Sequence, residues 1–380
     1  MRITSVSSYP VILDCNPFTT SYGTIDRYRN VIVTIEDDNG HLGVGEASPG
    51  TPNENGETME TVHYAINTFI KPILLGTDPR NPSVIRERLN QTLAGHVVAK
   101  AAVDMALFDL FGKIAGLSVA SLLGGKFRQN LPLIGAIGVK SAAEAATEAQ
   151  CWKDRGALGI KMKAPSVLNS SISEIEAHIR AVRKQVGDTM MLIVDPNQGW
   201  INVGNTQKIV DKISDLDVYI EQPILAHDIG GLRTLSAMGA RIIADEAVFT
   251  KQGLQAVIET RAVSIINVKL TRPGGFGEAM RFIHMAEGAG IKCQIDDVTA
   301  TRITTTAVAH LAVAVHPATF FCYSVAPAHL WLHRDIVKEG GITIEDGLVS
   351  LSGGPGLGLN LDWDYLIEST NRAEREMKSI

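Results

Sequence analysis

The sequence has few cysteines and no long apolar run. Its 380 residues contain the cysteines Cys15, Cys151, Cys293 and Cys322. They form no CxxC pair and are too sparse for a disulfide framework, so we expect reduced and mostly buried thiols. The longest apolar runs, such as residues 307–315, are interrupted by His310 and are shorter than the roughly 20 residues that a membrane-spanning helix requires. We therefore expect no association with a membrane.

Positive charge is also in short supply. The chain has 35 Lys and Arg residues against 41 Asp and Glu residues, which gives a net charge of -6. It has no run rich in Lys and Arg, so nothing attracts a phosphate backbone and we expect no nucleic-acid partner. Residues 1–13 alternate apolar and polar side chains as a strand does, without the charged and apolar regions of a signal peptide. We therefore expect a cytoplasmic protein.

Apolar residues, by contrast, are plentiful enough for a large core, since 45% of the sequence is hydrophobic. At this length we expect two domains, or one barrel with additions. An apolar run at 30–36, the turn sequence Asp-Asp-Asn-Gly at 37–40 and a second run at 42–46 predict a hairpin. Helical spacing follows at 58–70, 82–93 and 100–114. Strands followed by helices favour an α+β domain over residues 1–125.

From residue 126 to residue 333, short apolar runs alternate with helix-length segments. The strand candidates are residues 131–136, 159–163, 191–195, 218–221, 242–245, 264–269, 292–296 and 319–324. Eight strands separated by helices over roughly 200 residues predict an α/β fold of the (β/α)8, TIM-barrel type. A doubly wound sheet is the alternative, but no GxGxxG motif follows an early strand. In the tail, the glycine-rich segment 353–358 lacks the Lys-Ser/Thr ending of a phosphate loop, so we interpret it as a structural turn.

Charged residues stand at the ends of successive predicted barrel strands. They are Asp195, Glu221, Asp245 and Lys269, spaced by 26, 24 and 24 residues, or one β/α unit each. Because barrel strands end at a common mouth, the three carboxylates should converge there. Ionised carboxylates repel one another in a partly desolvated site, and a hard cation neutralises them; ligands that are all oxygen favour Mg²⁺ or Mn²⁺ over Zn²⁺. The alternative, that each acid caps the next helix, is weak for three acids in register.

Two further lysines, Lys161 and Lys163, alternate along the second barrel strand and so face the same side. A lysine inside a barrel strand is costly unless it is used. The ammonium group of Lys161 favours the neutral form of Lys163, which can then act as a base. Lys269 lies four strands further round, on the opposite wall. Lys163 and Lys269 are therefore predicted to form a two-base site for proton transfer.

These motifs resemble the muconate lactonizing subgroup of the enolase superfamily. The shared motifs are Lys-Met-Lys at 161–163, Asp-Pro-Asn at 195–197, Glu-Gln-Pro at 221–223, Asp-Glu at 245–246, Val-Lys-Leu at 268–270, Val-Gly-Glu-Ala-Ser at 44–48, Leu-Leu-Gly-Gly-Lys at 122–126 and Gly-Pro-Gly-Leu-Gly at 354–358. The resemblance covers nearly the whole chain. It implies a modified barrel of the (β/α)7β type over residues 126–333, under an α+β capping domain formed by residues 1–125. The C-terminal segment, residues 334–380, would return to this cap.

The resemblance also implies the chemistry of the site. The implied ligands of Mg²⁺, or of Mn²⁺, are Asp195, Glu221 and Asp245, with Asn197 and Glu246 as their neighbours. The implied acid/base pair is Lys163 and Lys269, assisted by Lys161. Such enzymes abstract the proton next to a substrate carboxylate, and the cation and a lysine stabilise the resulting ene-diolate. Residues 293–301 contain no His, which argues against the histidine base of the mandelate racemase subgroup.

The predicted seventh strand departs from the family pattern. Asp296 and Asp297 stand where relatives commonly carry small residues. Extra negative charge in the mouth repels a dicarboxylate and attracts an ammonium or quaternary amine, so we predict that these acids contact a cationic substrate. Two alternatives are open: Asp297 caps the following helix, or an acid of this strand pairs with Lys292 or Arg302.

The predicted eighth strand gives further indications about the substrate. Cys322 and Ser324 replace the Asp-x-Asp with which dipeptide epimerases of this subgroup hold the substrate amine, which disfavours a dipeptide. Tyr323 and Trp331 lie near the exit of this strand, where they wall a pocket, stack on a cation or pack in the core. In the family the cap loops set specificity, and here they are residues 16–29 and 49–57. The first contains Tyr22, a candidate substrate contact.

We therefore expect a Mg²⁺-dependent isomerase with a small-molecule carboxylate substrate. Its reaction is either the racemisation or epimerisation of an amino-acid derivative or a muconate-type cycloisomerisation. Dehydration of a hydroxy acid is an alternative within the same chemistry. A carboxylate-binding barrel without catalysis is an alternative of another class, although a binding module has no reason to retain two opposed lysines. We also expect the chain to assemble with copies of itself.

Overall fold

The computed structural model describes residues 1–51, 56–297, 299–325 and 327–379. Its first layer is an antiparallel sheet with the strands β1 (Ile3–Thr20), β2 (Gly23–Asp37) and β3 (Leu42–Ala47). The predicted hairpin is β2–β3. β1 and β2 form a longer hairpin in which Phe18 is paired with Ile25 and Thr20 with Gly23. Residues 16–29, which the sequence indicates as a loop, are therefore the paired ends of two strands.

Helices cover one face of this sheet. They are α1 (Met59–Ala65), α2 (Lys71–Leu74), α3 (Pro82–Thr92), α4 (Val97–Ala115) and α5 (Val119–Leu122), and a π-helical turn at Ile66–Ile70 joins the first two. The Thr58 side chain caps α1, and Gly116 ends α4 in the left-handed conformation. α4 lies directly on β3, because a Cβ atom on Gly45 would be 2.0 Å from the carbonyl oxygen of Ala102. Glycine at this position thus lets helix and sheet approach.

Eight parallel strands in chain order form the second layer. After a short strand, β4 (Asn130–Pro132), they are β5 (Ile134–Ile137), β6 (Gly159–Lys163), β7 (Met191–Asp195), β8 (Tyr219–Glu221), β9 (Ile242–Ala244), β10 (Ile265–Lys269), β11 (Lys292–Asp296) and β12 (Phe320–Tyr323). The helices between them are α6 (Ala142–Asp154), α7 (Ile172–Val186), α8 (Val203–Lys212), α9 (Ile229–Ala237), α10 (Lys251–Thr260), α11 (Phe276–Gly288) and α12 (Arg302–Ala314). The predicted (β/α)7β barrel is therefore confirmed. The predicted strand 131–136 is two strands, since the chain changes partner at Leu133.

The barrel interior is built in layers, because successive side chains of a strand point to opposite faces. The lower layer is apolar and consists of Ile134, Ile193, Ile243, Ile265 and Cys322. Two residues further along the chain from each of these lie Ala136 and the polar residues Asp195, Asp245, Asn267 and Ser324. The polar layer therefore stands at the carboxyl ends of the strands, on an apolar base.

The C-terminal segment contacts both layers. Its elements are β13 (Val337–Gly340), β14 (Ile342–Glu345), β15 (Leu348–Leu351), β16 (Leu359–Leu361) and α13 (Trp363–Met377). β13 pairs with β16, whereas β14 and β15 form a sheet with β4 beside the barrel. α13 packs on β1 of the cap, the Gly356 carbonyl accepts from the Val119 amide, and the Gly356 amide donates to the Leu117 carbonyl. The segment thus contacts the cap, and its strand β15 also pairs with β4 beside the barrel. The domain boundaries at 125 and 333 stay predictions.

Two smaller predictions concern the tail and the cysteines. Residues 353–358 form the predicted turn, and a Cβ atom on Gly356 would lie 2.1 Å from Asp109 Oδ1. The four cysteines are free, and all except Cys151 are buried.

Within the described ranges, no helix is both long enough and apolar enough to cross a membrane. Self-assembly and a cytoplasmic location stay predictions.

Candidate active site

A cavity opens at the carboxyl ends of the barrel strands, against the β1–β2 hairpin. Its walls include Lys161, Lys163 and Lys269, together with Asp296 and Asp297. Lys163 ends β6 and Lys269 ends β10, and these strands are four places apart in the eight-stranded barrel. The predicted acid/base lysines therefore stand on opposite walls of one cavity.

The three predicted metal ligands are fully buried beside this cavity. Asp195 and Glu221 end their strands as predicted, and Asp245 is the first residue after β9. Each carboxylate accepts a short hydrogen bond from a different lysine: Lys163 Nζ to Asp195 Oδ2 at 2.5 Å, Lys161 Nζ to Glu221 Oε1 at 2.6 Å and Lys269 Nζ to Asp245 Oδ2 at 2.6 Å. Lysine ammonium groups thus neutralise the acids in this conformation.

Burial and lysine charges act in opposite directions on these carboxyl groups. Burial raises the pKa of Glu221 and that of Asp245 to about 7 each, although the neighbouring lysines act to lower them. Burial acts in the same way on Asp195, but there two lysine charges outweigh it, so the pKa of Asp195 is lowered. Burial therefore disfavours the ionised form of these carboxylates, and nearby positive charge is needed to keep all three ionised.

The donor set fits a hard divalent cation. Asp245 Oδ1, Glu246 Oε2 and Asn197 Oδ1 are buried oxygens without a hydrogen-bond partner among the described residues. In this conformation, no three acidic, histidine or cysteine side chains of the described chain stand close enough to hold one ion. The lysine contacts account for this, because each of the three carboxylates is turned towards an ammonium group. An all-oxygen set of this kind suits Mg²⁺ or Mn²⁺.

Lys161 is surrounded by acids. Besides Glu221, its Nζ lies 2.8 Å from Asp296 Oδ2 and 3.7 Å from Asp195 Oδ2. Burial alone would lower the pKa of Lys161, but the surrounding carboxylates raise it well above the ordinary value, so this lysine stays charged. Burial also opposes ionisation of Asp296, yet the lysine charges hold its pKa at about 2. Asp296 therefore has two partners, because Lys161 of the second barrel strand and Asn267 of the sixth both donate to its Oδ2.

Asp297 fastens the end of β11 to the segment after β10. Its Oδ2 accepts from the Thr271 amide at 3.1 Å and its Oδ1 from the Thr271 hydroxyl at 2.6 Å. Thr301, not Asp297, caps α12. Lys292 lies at the other end of β11, and the pairing of Asp297 with Arg302 stays a prediction. Asp297 nevertheless lines the cavity, so its contact with a substrate stays a prediction.

Tyr22 fixes the tip of the cap hairpin to the barrel. Its hydroxyl donates to Glu246 Oε1 at 2.6 Å and accepts from Gln198 Nε2 at 2.7 Å. Burial and the Glu246 charge raise the pKa of Tyr22. The neighbouring Ser21 hydroxyl donates to the Pro196 carbonyl at 2.5 Å. The structure thus places Tyr22 in a clamp between cap and barrel, where its hydroxyl is already engaged.

The two predicted neighbours of the ligands contact each other. Asn197 Nδ2 donates to Glu246 Oε1 at 3.2 Å, and the Asn197 amide donates to Asp195 Oδ1 at 2.9 Å. Asn197 has a φ of 46°, a left-handed conformation that Asn tolerates better than most residues. This backbone turn brings the loop after β7 into contact with the loop after β9. The contact holds the predicted ligands Asp195 and Asp245 in place.

The two aromatic candidates near strand eight have different positions. Tyr323 is fully buried and its hydroxyl donates to the Thr305 carbonyl at 2.7 Å. The prediction that Tyr323 contacts the substrate is therefore wrong, because its side chain points outward from the barrel into the helix layer. Trp331 lines the cavity and stacks on Phe18, with 4.3 Å between the ring centroids. Of the loop 49–57, residues 52–55 lie outside the described residues.

Sequence reasoning missed Glu46, which joins the cap to the barrel. It is fully buried and accepts hydrogen bonds from the Thr301 hydroxyl at 2.8 Å, from the Thr304 amide at 3.1 Å and from Asn30 Nδ2 at 2.7 Å. A charged residue inside an apolar strand was the available signal. Glu46 thus anchors β3 on the start of α12.

Two amides behind the ligands were also missed. Asn267 Nδ2 donates to Glu221 Oε1 at 3.0 Å, and Gln294 Nε2 donates to Glu221 Oε2 at 2.8 Å. Each stands two residues before a residue of the site, Lys269 or Asp296, and so faces the same side of its strand. Strand periodicity could have identified both as the groups that orient Glu221.

Comparison with known proteins identifies the family. Residues 3–124 match the mandelate racemase / muconate lactonizing enzyme N-terminal domain, and residues 142–365 match the enolase C-terminal domain-like family. The N-succinyl-L-Arg/Lys racemase of Bacillus cereus is 30% identical over 374 residues, which cover 97% of this chain and 98% of that protein. The enzyme class predicted from the sequence, an isomerase, agrees with this relative.

Two solved structures resemble the fold closely. The muconate lactonizing enzyme of Pseudomonas fluorescens, complexed with muconolactone, has a TM-score of 0.91 and 28% identity, and the match covers 97% of this chain and 99% of that one. A dipeptide epimerase of Enterococcus faecalis, complexed with Mg and the dipeptide L-Leu-L-Tyr, has a TM-score of 0.88 and 30% identity over 95% of this chain and 100% of that one. This chain therefore belongs to the mandelate racemase / muconate lactonizing enzyme family of the enolase superfamily.

Proposed function

We propose that this chain is a Mg²⁺-dependent racemase or epimerase that acts on the carbon next to the carboxylate of an amino-acid derivative. The observation that carries the proposal is the placement of Lys163 and Lys269 on opposite walls of one cavity. A group on each face of a planar carbanion can remove the proton from one enantiomer and return it to the other. A cycloisomerase or a dehydratase needs no such symmetry.

The cation would be held by Asp195, Glu221 and Asp245. When bound, Mg²⁺ neutralises the substrate carboxylate and the negative charge that develops when the adjacent proton leaves. Support comes from the all-oxygen donor set, from the unpartnered Asp245 oxygen and from the dipeptide epimerase complexed with Mg. Mn²⁺ satisfies the same ligands.

The lysines divide the remaining work. Lys163 and Lys269 exchange protons with the substrate carbon from opposite sides. Lys161 is held by Glu221 and Asp296 at 2.6 and 2.8 Å, and these acids keep it charged. A permanently charged Lys161 cannot serve as a base, but it stabilises negative charge on the substrate carboxylate. Asn267 and Gln294 orient Glu221 so that this arrangement is preset.

Cycloisomerisation of a muconate is less well supported. Muconate carries a second carboxylate, and the cations lining the described part of the cavity are Lys161, Lys163 and Lys269, all of which already contact acids. A second carboxylate would therefore be buried without a partner. A non-catalytic binding barrel is disfavoured by the opposed lysines.

Exchange of the α-proton in D2O tests the proposed function. The protein with Mg²⁺ is incubated with both enantiomers of N-acyl amino acids, with dipeptides, with muconate and with hydroxy acids, and deuterium at the α-carbon is followed by NMR. We expect deuterium in both enantiomers of at least one amino-acid derivative and none with the variant that carries both Lys163→Ala and Lys269→Ala. Lactone formation from muconate, or loss of water from a hydroxy acid, without α-exchange of any amino-acid derivative would contradict the proposal.

A further inference from the structure

A short segment follows Lys269 and leads into helix α11. It comprises residues 270–275, and α11 begins at Phe276. The Gly275 amide donates to the Leu270 carbonyl at 3.0 Å, which closes the segment into a turn. Because Leu270 is the chain neighbour of Lys269, a displacement of Gly275 changes the position in which the lysine is held.

The start of α11 is held by a side chain of the cap. The residue before the helix is Gly275, which has no side chain with which to accept from the first helical amides and whose φ is 103°. Asp104 of α4 does so instead, since its Oδ2 accepts from the Gly277 amide at 3.3 Å. A carboxylate at the start of a helix stabilises it, because the first amide groups lack partners within the helix. The cap thus fixes the beginning of a barrel helix.

Arg86 of α3 completes this contact. Its Nη1 lies 3.0 Å from Asp104 Oδ1, and its Nε lies 3.1 Å from Oε1 of Glu278 in the first turn of α11. Arg86 and Asp104 are both buried. Burial raises the pKa of Asp104 to about 6, although the Arg86 charge acts to lower it, so the carboxylate is largely ionised at neutral pH. Removing one partner of such a pair leaves a buried charge uncompensated.

Two glycines make room for the pair. A Cβ atom on Gly275 would lie 2.5 Å from Asp104 Oδ2, and a Cβ atom on Gly277 would overlap with Arg86 Nη1. The two cap side chains are therefore packed directly against the backbone of residues 275–277.

The chain after Lys163 has a different support. The Ser166 hydroxyl donates to the Gly199 carbonyl at 2.9 Å, and the Val167 amide donates to the same carbonyl at 3.0 Å. The acceptor lies in the loop after β7. A change at Asp104 therefore leaves these contacts in place.

We propose that Asp104 and Arg86 of the cap are positioning residues for Lys269. They hold the start of α11, and residues 270–275 carry this constraint back to the lysine. The inference rests on the proposed function, in which each lysine exchanges the α-proton of one enantiomer. Loss of the cap contact should therefore impair one enantiomer, whereas a general loss of stability impairs both.

Initial rates of α-deuterium exchange from each enantiomer test the inference. The enantiomer that Lys269 serves is the one whose exchange Lys269→Ala abolishes. In Asp104→Asn with Mg²⁺, we expect exchange of that enantiomer to fall by about tenfold and exchange of the other by less than about twofold, because a small displacement of a reacting group costs rate. Asp109→Asn is the matched control and should affect both enantiomers alike. Asp109 is a buried acid of the same helix, but it accepts from the Val44 and Leu357 amides, at 2.8 and 2.7 Å.

A substitution on the barrel side gives a second test. Gly277→Ala places a Cβ atom on Arg86 Nη1 and so displaces the pair without removing a charge. We expect the same unequal loss, larger for the enantiomer that Lys269 serves. Gly288→Ala is the control on the same helix, because no described atom lies within 4 Å of the added Cβ atom.

Amide hydrogen exchange, followed by mass spectrometry, shows how the substitution reaches the lysine. In Asp104→Asn we expect faster amide exchange in residues 270–277 and unchanged exchange in residues 164–170, whereas Asp109→Asn should leave both segments unchanged. Unchanged exchange in residues 270–277 of Asp104→Asn, or equal losses for the two enantiomers, would overturn the inference and leave the proposed function intact. Absence of α-exchange by the unsubstituted protein with every carboxylate would contradict the proposed function and the inference with it.

Discussion

Replacing Asp296 with Asn tests whether this acid positions Lys161 or selects a cationic substrate. The sequence alone predicts selection, because an added acid on strand seven has no evident partner there. The structure supplies the partner, since Lys161 Nζ lies 2.8 Å from Asp296 Oδ2 and Asn267 Nδ2 lies 3.2 Å from the same oxygen. If Asp296 holds Lys161, the substitution must affect every substrate alike.

The expected magnitude follows from the contacts of Lys161. Asn keeps an oxygen that can accept a hydrogen bond but removes the charge, while Glu221 remains 2.6 Å from Nζ. A hydrogen bond to a charged group contributes about 1.5–3 kcal/mol. Since about 1.4 kcal/mol corresponds to tenfold in rate, we expect kcat/KM for α-exchange to fall roughly 10- to 100-fold.

The adjacent acid provides a matched control. Asp297→Asn leaves the contacts of Lys161 in place, because Asp297 accepts from Thr271. Exchange is measured for a cationic and a neutral amino-acid derivative with both variants. The positioning role predicts equal losses for the two substrates in Asp296→Asn and a smaller loss in Asp297→Asn. A loss confined to the cationic substrate would refute the positioning role and indicate that Asp296 selects a cationic substrate.

Three further outcomes are expected. Chelation should abolish α-exchange, and Mg²⁺ or Mn²⁺ should restore it. Asp245→Asn should weaken Mg²⁺ binding, measured by calorimetry. Full turnover with chelator present would exclude a metal requirement. Lys163→Ala should abolish exchange from one enantiomer and Lys269→Ala from the other, as followed by NMR, whereas equal losses for both enantiomers would indicate a structural role. The free energy of unfolding in urea should fall between pH 6.5 and pH 4, and His310→Gln should flatten that dependence.

The sequence predicts the ends of the barrel strands well, because the β/α repeat is local. Asp195, Glu221 and Lys269 follow apolar runs at intervals of one and two β/α units, and each ends its strand in the structure. Side chains that alternate within one strand, such as Lys161 and Lys163, are predictable for the same reason. The positions of these site residues along their strands can thus be predicted from short segments of sequence.

Contacts across the barrel and between its layers could not be predicted in this way. Lys161 and Asp296 are separated by 135 residues and Tyr22 and Glu246 by 224, so their pairing depends on how the strands tilt and where the cap hairpin docks. Tyr323 shows the reverse case, since a shift of one residue along β12 decides whether a side chain faces the cavity or the helices. Such choices are made by packing, which no local pattern encodes.

His310 shows how one polar residue in an apolar run can be required by its surroundings. Its Nδ1 accepts from the Ala120 amide at 3.1 Å and its Nε2 lies 3.4 Å from the Leu357 carbonyl, so the buried ring must be neutral. Burial lowers the pKa of His310 from 6.5 to about 4. Between these values the unfolded chain binds a proton that the folded chain does not, so this contribution to stability is present above pH 6.5 and is lost as the pH falls towards 4. The difference corresponds to about 3 kcal/mol. The free energy of unfolding of His310→Gln should therefore vary less over this range by about that amount, and an equal variation in both proteins would show that other groups control it.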